Sequence, residues 1–415
     1  MSLTLISDSA QFLELCRHIR QIGFVAFDTE FVSEHTYRPE LGLLQFATDG
    51  RSVAVDPYEI DDLSPWWEIM ADDETTVVVH GGQAEIRFCL TESGSPPRRL
   101  IDVQLAEGFR GTSYPLAYRS LISRVIGAKV HGSETRTDWR KRPLSDRQLE
   151  YAIEDVRHLP KVWKKQEASL RKLGRIDWFL DEMQNMISQI AAESAQEAWR
   201  KLSVPHLGPR EMAVLRELAE WRRDEAERRN RPLRQVLRDD LLVELAKRQP
   251  HNLQELNRTR DMTRPSYQRS AKEFLKCIER GLAIPEDECP QQPEARDHDR
   301  RIDDKAIGQL LGMALTNRCA QLNLSKQIVA TSADLRDFIQ WHLDGRRAGC
   351  VRGGESIQDR RGDPPTMTLG WRAEVCGKLL TDLLEGRLSV RVGNPASKHP
   401  LVFESVAGTD GDSTV

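Results

Sequence analysis

The sequence predicts an α/β domain, a mixed sheet flanked by helices, followed by all-α domains. Short apolar and β-branched runs alternate with helix-like stretches up to about residue 103. From residue 144 to 200 strand signals largely vanish, and helical patterning then continues to residue 388. A chain of 415 residues is also too long for one ordinary domain, so two or three are expected.

The elements follow in order. Phe24 to Phe31 (FVAFDTEF) is a short apolar run with acids at its end, and Leu41 to Thr48 is a second strand. Arg51 to Val55 alternates polar and apolar, as a half-buried strand does. Thr76 to His80 is β-branched and ends at Gly81-Gly82, after which Gln83 to Thr91 reads as a helix. Leu100 to Val103 is a further short strand. Ser145 precedes a long run without Gly or Pro and reads as a helix cap. Amphipathic helices between 205 and 284 are separated by Pro232, Pro250 and Pro265. Residues 285–304 are rich in Pro, Gln and charge and read as a linker. A helical region from 305 to 388 is interrupted by a Gly- and Arg-rich loop at 345–365. The expected domains are 1–200 (α/β), 205–285 (helical), a linker at 286–303, 304–390 (helical) and a disordered tail at 391–415.

Composition excludes several classes. Hydrophobic residues make up 39% of the chain and charged residues 30%, enough for real cores on a soluble protein. No apolar run approaches the roughly 18 residues of a membrane span. The N-terminus MSLTLISDSAQFLELC lacks a secretion signal, which favours the cytoplasm. Seven scattered cysteines without a CxxC pair fit neither a disulfide framework nor a zinc knuckle, so reduced, packed thiols are expected. Net charge is -4, but residues 207–282 hold 18 Lys+Arg against 13 Asp+Glu. Arg222, Arg223, Arg228, Arg229, Arg231, Arg234 and Arg238 could contact phosphates. Glu220, Asp224, Glu225 and Glu227 are interleaved at helical spacing, and charge alone favours a solvated helix face.

Three elements point to chemistry. Asp28 and Glu30 are two residues apart on a strand, so both carboxylates aim to one side, as a site for a hard cation requires. Tyr151 and Asp155 are four apart on a helix and share a face. Glu85 lies early in the helix after Gly81-Gly82, where the helix dipole alone also favours an acid. Each taken singly reads more readily as a solvated acid or a packed tyrosine.

In this order the three elements resemble the three motifs of the DEDD exonuclease superfamily, in its tyrosine-type branch. Within that branch the chain resembles the ribonuclease D family. The resemblance rests on FDTEFVSEHTYRPELGLLQF, VVHGGQAEIRF, LIDVQLA, SETRTDWRKRPLSDRQLEYAIEDV, EAWRKL and AVLRELAEWRRDEAERRNRP, and covers nearly all of the first 285 residues. It implies an RNase H-like catalytic domain followed by HRDC-like domains. The HRDC likeness is clear for Leu207 to Ala283, and WHLDGRR and GWRAEVCGKLL echo a divergent second copy. Glu85 departs from the aspartate frequent in the family, adding about 1.5 Å of reach.

The resemblance implies a metal-dependent 3′→5′ exoribonuclease releasing nucleoside 5′-monophosphates. Two divalent ions, Mg²⁺ or Mn²⁺, would sit about 3.5–4 Å apart. Asp28 would be shared by both, Glu30 and Asp155 would hold one, and Glu85 would support the other. Tyr151 would orient the attacking water. Thr29 is expected to point away from the ligands and meet the terminal nucleotide through its backbone. Tyr37, Arg38 and Gln45 would line the groove, and Arg136, Trp139 and Arg140 would contact phosphate or stack on a base. Asp102 reads as supporting rather than ligating, and His80 and His158 as packing or hydrogen-bonding residues. The implied partners are RNA 3′ ends such as tRNA precursors, and the implied state is a monomer. A DNA exonuclease and a catalytically impaired RNA-binding scaffold are the alternatives.

Overall fold

A six-stranded mixed sheet organises the N-terminal half. The computed structural model describes all residues except 1–3, 49, 131–136, 198, 201, 203–206, 291–304, 350–363 and 407–415, with 346–349 described by backbone alone. The chain runs through β1 (Leu5–Ile6), α1 (Ser9–Ile22), β2 (Phe24–Val32), β3 (Glu40–Thr48) and β4 (Arg51–Val55). It continues through α2 (Ser64–Ala71), β5 (Thr76–Val79), α3 (Gln83–Ser93), β6 (Leu100–Asp102) and α4 (Val103–Arg110). Then come α5 (Tyr118–Ile126), α6 (Asp146–Arg157), α7 (Leu159–Lys172) and α8 (Ile176–Ala195). The strand order is β1-β4-β3-β2-β5-β6. Strands β2, β3 and β4 form an antiparallel meander, and β1, β5 and β6 join in parallel. All the strands expected from 24 to 103 are present. Val103 opens α4 instead of closing a strand, because the Asp102 carboxylate accepts the Gln104 N–H as a helix cap.

The sheet buries its two faces differently. Phe27 on β2 and Phe46 on β3 pack against Trp66 of α2, ring centroids 4.6 and 4.7 Å away. Helix α1 adds Phe12, Leu15, Cys16 and Ile19, one apolar stripe at helical spacing between an Asp8 cap and a left-handed Gly23. The other face of the meander lies beneath α6, where Leu149, Ala152 and Ile153 meet Leu43, Ala54 and Trp139. Ser145 caps α6 through a reciprocal pair: its hydroxyl accepts the Gln148 N–H, and its own N–H donates to the Gln148 side chain.

The next unit comprises α9 (Pro209–Arg229), α10 (Leu233–Val236), α11 (Asp239–Arg248), α12 (Leu253–Asn257), α13 (Pro265–Gln268) and α14 (Ala271–Ala283). Its core, including Leu215, Leu218, Leu242, Leu245 and Phe274, is separate from that of the sheet. Arg222 is buried and donates to Asp239 at 2.7 Å and to the Leu237 carbonyl at 2.9 Å. Arg223, Arg228, Arg229, Arg234 and Arg238 each pair with an acid of the same unit. The arginine cluster is therefore largely neutralised on its own surface.

The C-terminal helices are α15 (Lys305–Leu322), α16 (Lys326–Val329), α17 (Ser332–Gly349), α18 (Gly370–Arg372), a π-helical turn (Ala373–Gly377) and α19 (Lys378–Leu384). They share one continuous core with the sheet domain. Trp371 lies between Phe109 and Trp178, and Arg372 makes a bidentate pair with Glu182 of α8 at 2.6 and 2.7 Å. Two expectations need correction. Helix α17 runs to Gly349, taking in the first five residues of the loop expected at 345–365. Residues 388–405, mostly assigned to a disordered tail, form an antiparallel hairpin of β7 (Leu388–Val392) and β8 (Leu401–Ser405). Leu388 and Val390 alternate with Ser389 and Arg391 and, together with Phe403 of β8, pack on the core. The far part of that tail and most of the linker lie outside the described residues. Among the described residues six cysteines are free and buried. No described helix is long and apolar enough to cross a membrane.

Candidate active site

The meander sets the first two acids. Asp28 stands opposite Gln45 and Glu30 opposite Leu43 in the β2–β3 ladder, so their side chains rise on the face covered by α6. A register shift between Glu30 and Phe31 ends the regular pairing just past the second acid. Strand β5 pairs only with residues 24–26, so β2 projects beyond it from Asp28 onward. Helix α3 begins beside that exposed edge, and its first turn carries Glu85. The Asp102 carboxylate fixes where α3 starts by accepting the Gly81 and Gly82 N–H groups at 3.0 and 3.1 Å. Gly81 is left-handed at φ +72°, and a Cβ on Gly82 would fall 2.3 Å from Val79 Cγ2. Asp102 thus supports the turn, as its sequence position suggests. Asp155 arrives from α6, with the Tyr151 hydroxyl donating to its carboxylate one turn away.

All four carboxylates are raised by burial, and two of them, Asp28 and Glu30, also by other acids of the set. Burial raises the Asp28 carboxyl well above its ordinary range, and Glu85, Asp155 and Glu30 raise it further. Glu30 is pushed up to about 8 by burial, then by Asp155 and Glu85. Burial lifts Glu85 to about 7 against the lowering effect of the Thr29 hydrogen bond, and lifts Asp155 to about 6 against Tyr151 and Arg119. Buried like charges without a compensating cation have this consequence. Among the described residues no three acidic, histidine or cysteine side chains already converge as a finished coordination sphere. The donor set nonetheless fits a hard divalent cation: it is all oxygen, and positive charge relieves the repulsion its members share. Burial and Asp155 also raise the Tyr151 phenol above its usual value, so it stays a neutral donor.

Other expected contacts are rearranged. The Thr29 side chain, expected only to point away from the ligands, donates to Glu85 Oε1 at 2.6 Å. Gln45 is fully buried and does not line an open groove; neither atom of its carboxamide has a protein partner among the described residues. Trp139 is also buried, packed beside Tyr151 with centroids 6.3 Å apart, so its ring is not free to stack on a base. Gly42 permits that packing, since a Cβ there would lie 2.6 Å from Trp139 Cβ. Arg140 pairs with Asp138 at 2.9 Å. Tyr37 and Arg38 meet the helical unit: the Tyr37 N–H donates to Asn230 at 3.1 Å, and Arg38 pairs with Glu227 at 2.6 Å. Arg136 lies outside the described residues. His80 contacts the Leu116 carbonyl and His158 contacts Glu154, both at 2.9 Å, as hydrogen-bonding residues.

Two anchors escaped the sequence reading. The Tyr118 hydroxyl donates to the Glu154 carbonyl at 2.5 Å, tying α5 to the helix that carries Asp155. Arg142 makes a bidentate pair with Asp56 at 2.5 and 2.7 Å and donates to the Gly42 carbonyl, fastening the approach to α6 onto the meander. The arginine of RKRP before the Ser145 cap was the available signal. Its partner lies 86 residues away, beyond the reach of local pattern.

Relatives share this architecture. A 3′-5′ exonuclease family model matches residues 3–171, and an HRDC domain model matches residues 211–278. Ribonuclease D of Zymomonas mobilis subsp. mobilis is 30% identical over 396 residues, 94% of this chain and 95% of that one. Ribonuclease D of Pseudomonas paraeruginosa is 30% identical over 392 residues, 92% of this chain and 97% of that one. The crystal structure of Escherichia coli RNase D, described as an exoribonuclease involved in structured RNA processing, matches with a TM-score of 0.77. It is 26% identical, with 93% of this chain and 99% of that chain covered. Fold, acids and matches together define a 3′→5′ exonuclease with an HRDC extension. Within that class the chain belongs to the ribonuclease D family, whose members are exoribonucleases that depend on divalent metal.

Proposed function

We propose that this chain shortens RNA from the 3′ end, releasing nucleoside 5′-monophosphates at a site built from Asp28, Glu30, Glu85, Tyr151 and Asp155. The observation that carries the reading is the gathering of Glu85, Asp155 and Glu30 about the buried Asp28, whose carboxyl all three raise. Two divalent ions, Mg²⁺ or Mn²⁺, would be held by Asp28, Glu30, Glu85 and Asp155. When bound, they supply Lewis-acid activation of water and charge stabilisation at the leaving oxygen. Asp28, central to the cluster, is suited to serve both. Tyr151, neutral and hydrogen-bonded to Asp155, orients the attacking water. Trp139 and Gly42 hold α6 and the meander in register, so Tyr151 and Asp155 stay fixed relative to Asp28 and Glu30.

Precursor tRNA ends are the proposed substrates, processed in the cytoplasm by a monomer; the family resemblance supports this. The test is a time course on 5′-labelled single-stranded RNA with a free 3′ hydroxyl, with Mg²⁺ or Mn²⁺, beside Asp28→Ala and a matched DNA. A ladder shrinking from the 3′ end, lost with EDTA and in the variant, is the expected result. Faster loss of DNA would move the reading to a DNA exonuclease. Binding without turnover under either metal would leave a scaffold.

A further inference from the structure

The Thr29–Glu85 contact joins the residue between the two strand acids to the acid on α3. Both side chains are buried, 6% and 4% exposed, and the hydrogen bond is short at 2.6 Å. The backbone beneath Glu85 has little freedom. Asp102 holds the Gly81 and Gly82 N–H groups, and Gly82 sits directly against Val79. A glutamate rooted there still has three side-chain torsions through which its carboxylate can swing. The Thr29 hydroxyl removes that freedom by fixing Oε1. Glu85 is near enough for its charge to raise the Asp28 carboxyl, so the contact ties Thr29 to the acids around Asp28.

We infer that Thr29 is a positioning residue for Glu85: its hydroxyl holds one carboxylate oxygen so that the other is presented to the cation. The inference rests on the metal-site reading proposed above. It makes residues 29 and 85 an energetically coupled pair. An aspartate at 85 retracts the carboxylate by one methylene, about 1.5 Å, and breaks the contact. Removing the hydroxyl then changes nothing further.

The experiment is a double-mutant cycle on the full chain with Thr29→Val, Glu85→Asp and the double variant. Mn²⁺ affinity is measured by calorimetry, kcat on the labelled RNA, and Tm in EDTA. Thr29→Val is expected to weaken Mn²⁺ binding and lower kcat by about tenfold, the scale for residues that orient a ligand. Thr29→Ser, which keeps the hydroxyl, restores most of both. On the Glu85→Asp background, Thr29→Val adds no further loss. Thr29→Ala takes the place of Thr29→Val if the valine variant does not fold. Additive effects, or a lowered Tm with Mn²⁺ affinity and kcat unchanged, overturn the inference while Asp28→Ala still abolishes turnover. Turnover surviving Asp28→Ala overturns the site reading and the inference with it.

Discussion

Trp371, on the short α18 near the end of the described chain, packs edge-on against Phe109 of α4 with ring centroids 5.0 Å apart. The C-terminal helices therefore complete the core of the catalytic domain. Arg175 reinforces the junction by donating to the carbonyls of Phe109 and Asn323, at 2.8 and 3.2 Å. Deleting residues 305–415 would uncover Phe109, which is fully buried in the intact chain. A large buried side chain contributes about 1.5–3 kcal/mol, so the shortened protein is expected to melt well below the full chain or to aggregate. The segment 199–290, whose core includes the buried Trp199, is expected to melt cooperatively by itself. Circular dichroism melts of both fragments check this; an unchanged Tm after the deletion would contradict it.

The acids make stability depend on pH and metal together. In the metal-free protein Glu30, Glu85 and Asp155 titrate near 8, 7 and 6, all above the unfolded values near 4. The folded chain thus keeps protons that the unfolded chain has lost. Their contribution to stability is fully present below about pH 4 and is lost as pH rises through 6 to 8. A bound cation displaces those protons, so Mn²⁺ should raise Tm far more at pH 8.5 than at pH 5. Melts with EDTA and with Mn²⁺ across that range measure the difference. A shift of equal size at both ends would count against the shared cation site.

Gly42→Ala is expected to lower stability by roughly 1–3 kcal/mol, the usual cost of overpacking. Its Cβ would stand 2.6 Å from that of Trp139, whose ring backs Tyr151. Urea denaturation gives the stability change. Turnover should fall as well, because displacing Trp139 shifts Tyr151 from its place beside Asp155.

Tyr151→Phe removes the hydroxyl donated to Asp155 while keeping the ring. Misplacing the attacking water is expected to cost about 10²-fold in kcat, with KM changed far less. Because the phenol is pushed above its ordinary value, it should put no titration step into the pH–rate profile between pH 6 and 9. Steady-state kinetics of both proteins over that range decide it, and a basic limb lost in the variant would argue for a phenolate.

Local chemistry alone made much of this molecule legible. The strands from Phe24 to Asp102, the Ser145 cap and the spacing of Asp28, Glu30, Tyr151 and Asp155 follow from periodicity and side-chain type, which act within a few residues. The Asp8 cap and Gly23 turn around α1 carry the same kind of signal. The family resemblance then supplied the grouping of the acids. Tertiary structure alone decided which side chains are accessible. Gln45 and Trp139 look like groove residues in sequence, and both are buried because α6 closes over the meander. Tyr37 and Arg38 face the helical unit instead of an open groove. Arg142 finds Asp56, Thr29 finds Glu85 and Trp371 finds Phe109 only after the sheet has twisted and the helices have docked. Contacts across such separations depend on how whole elements pack, and no local pattern encodes that distance.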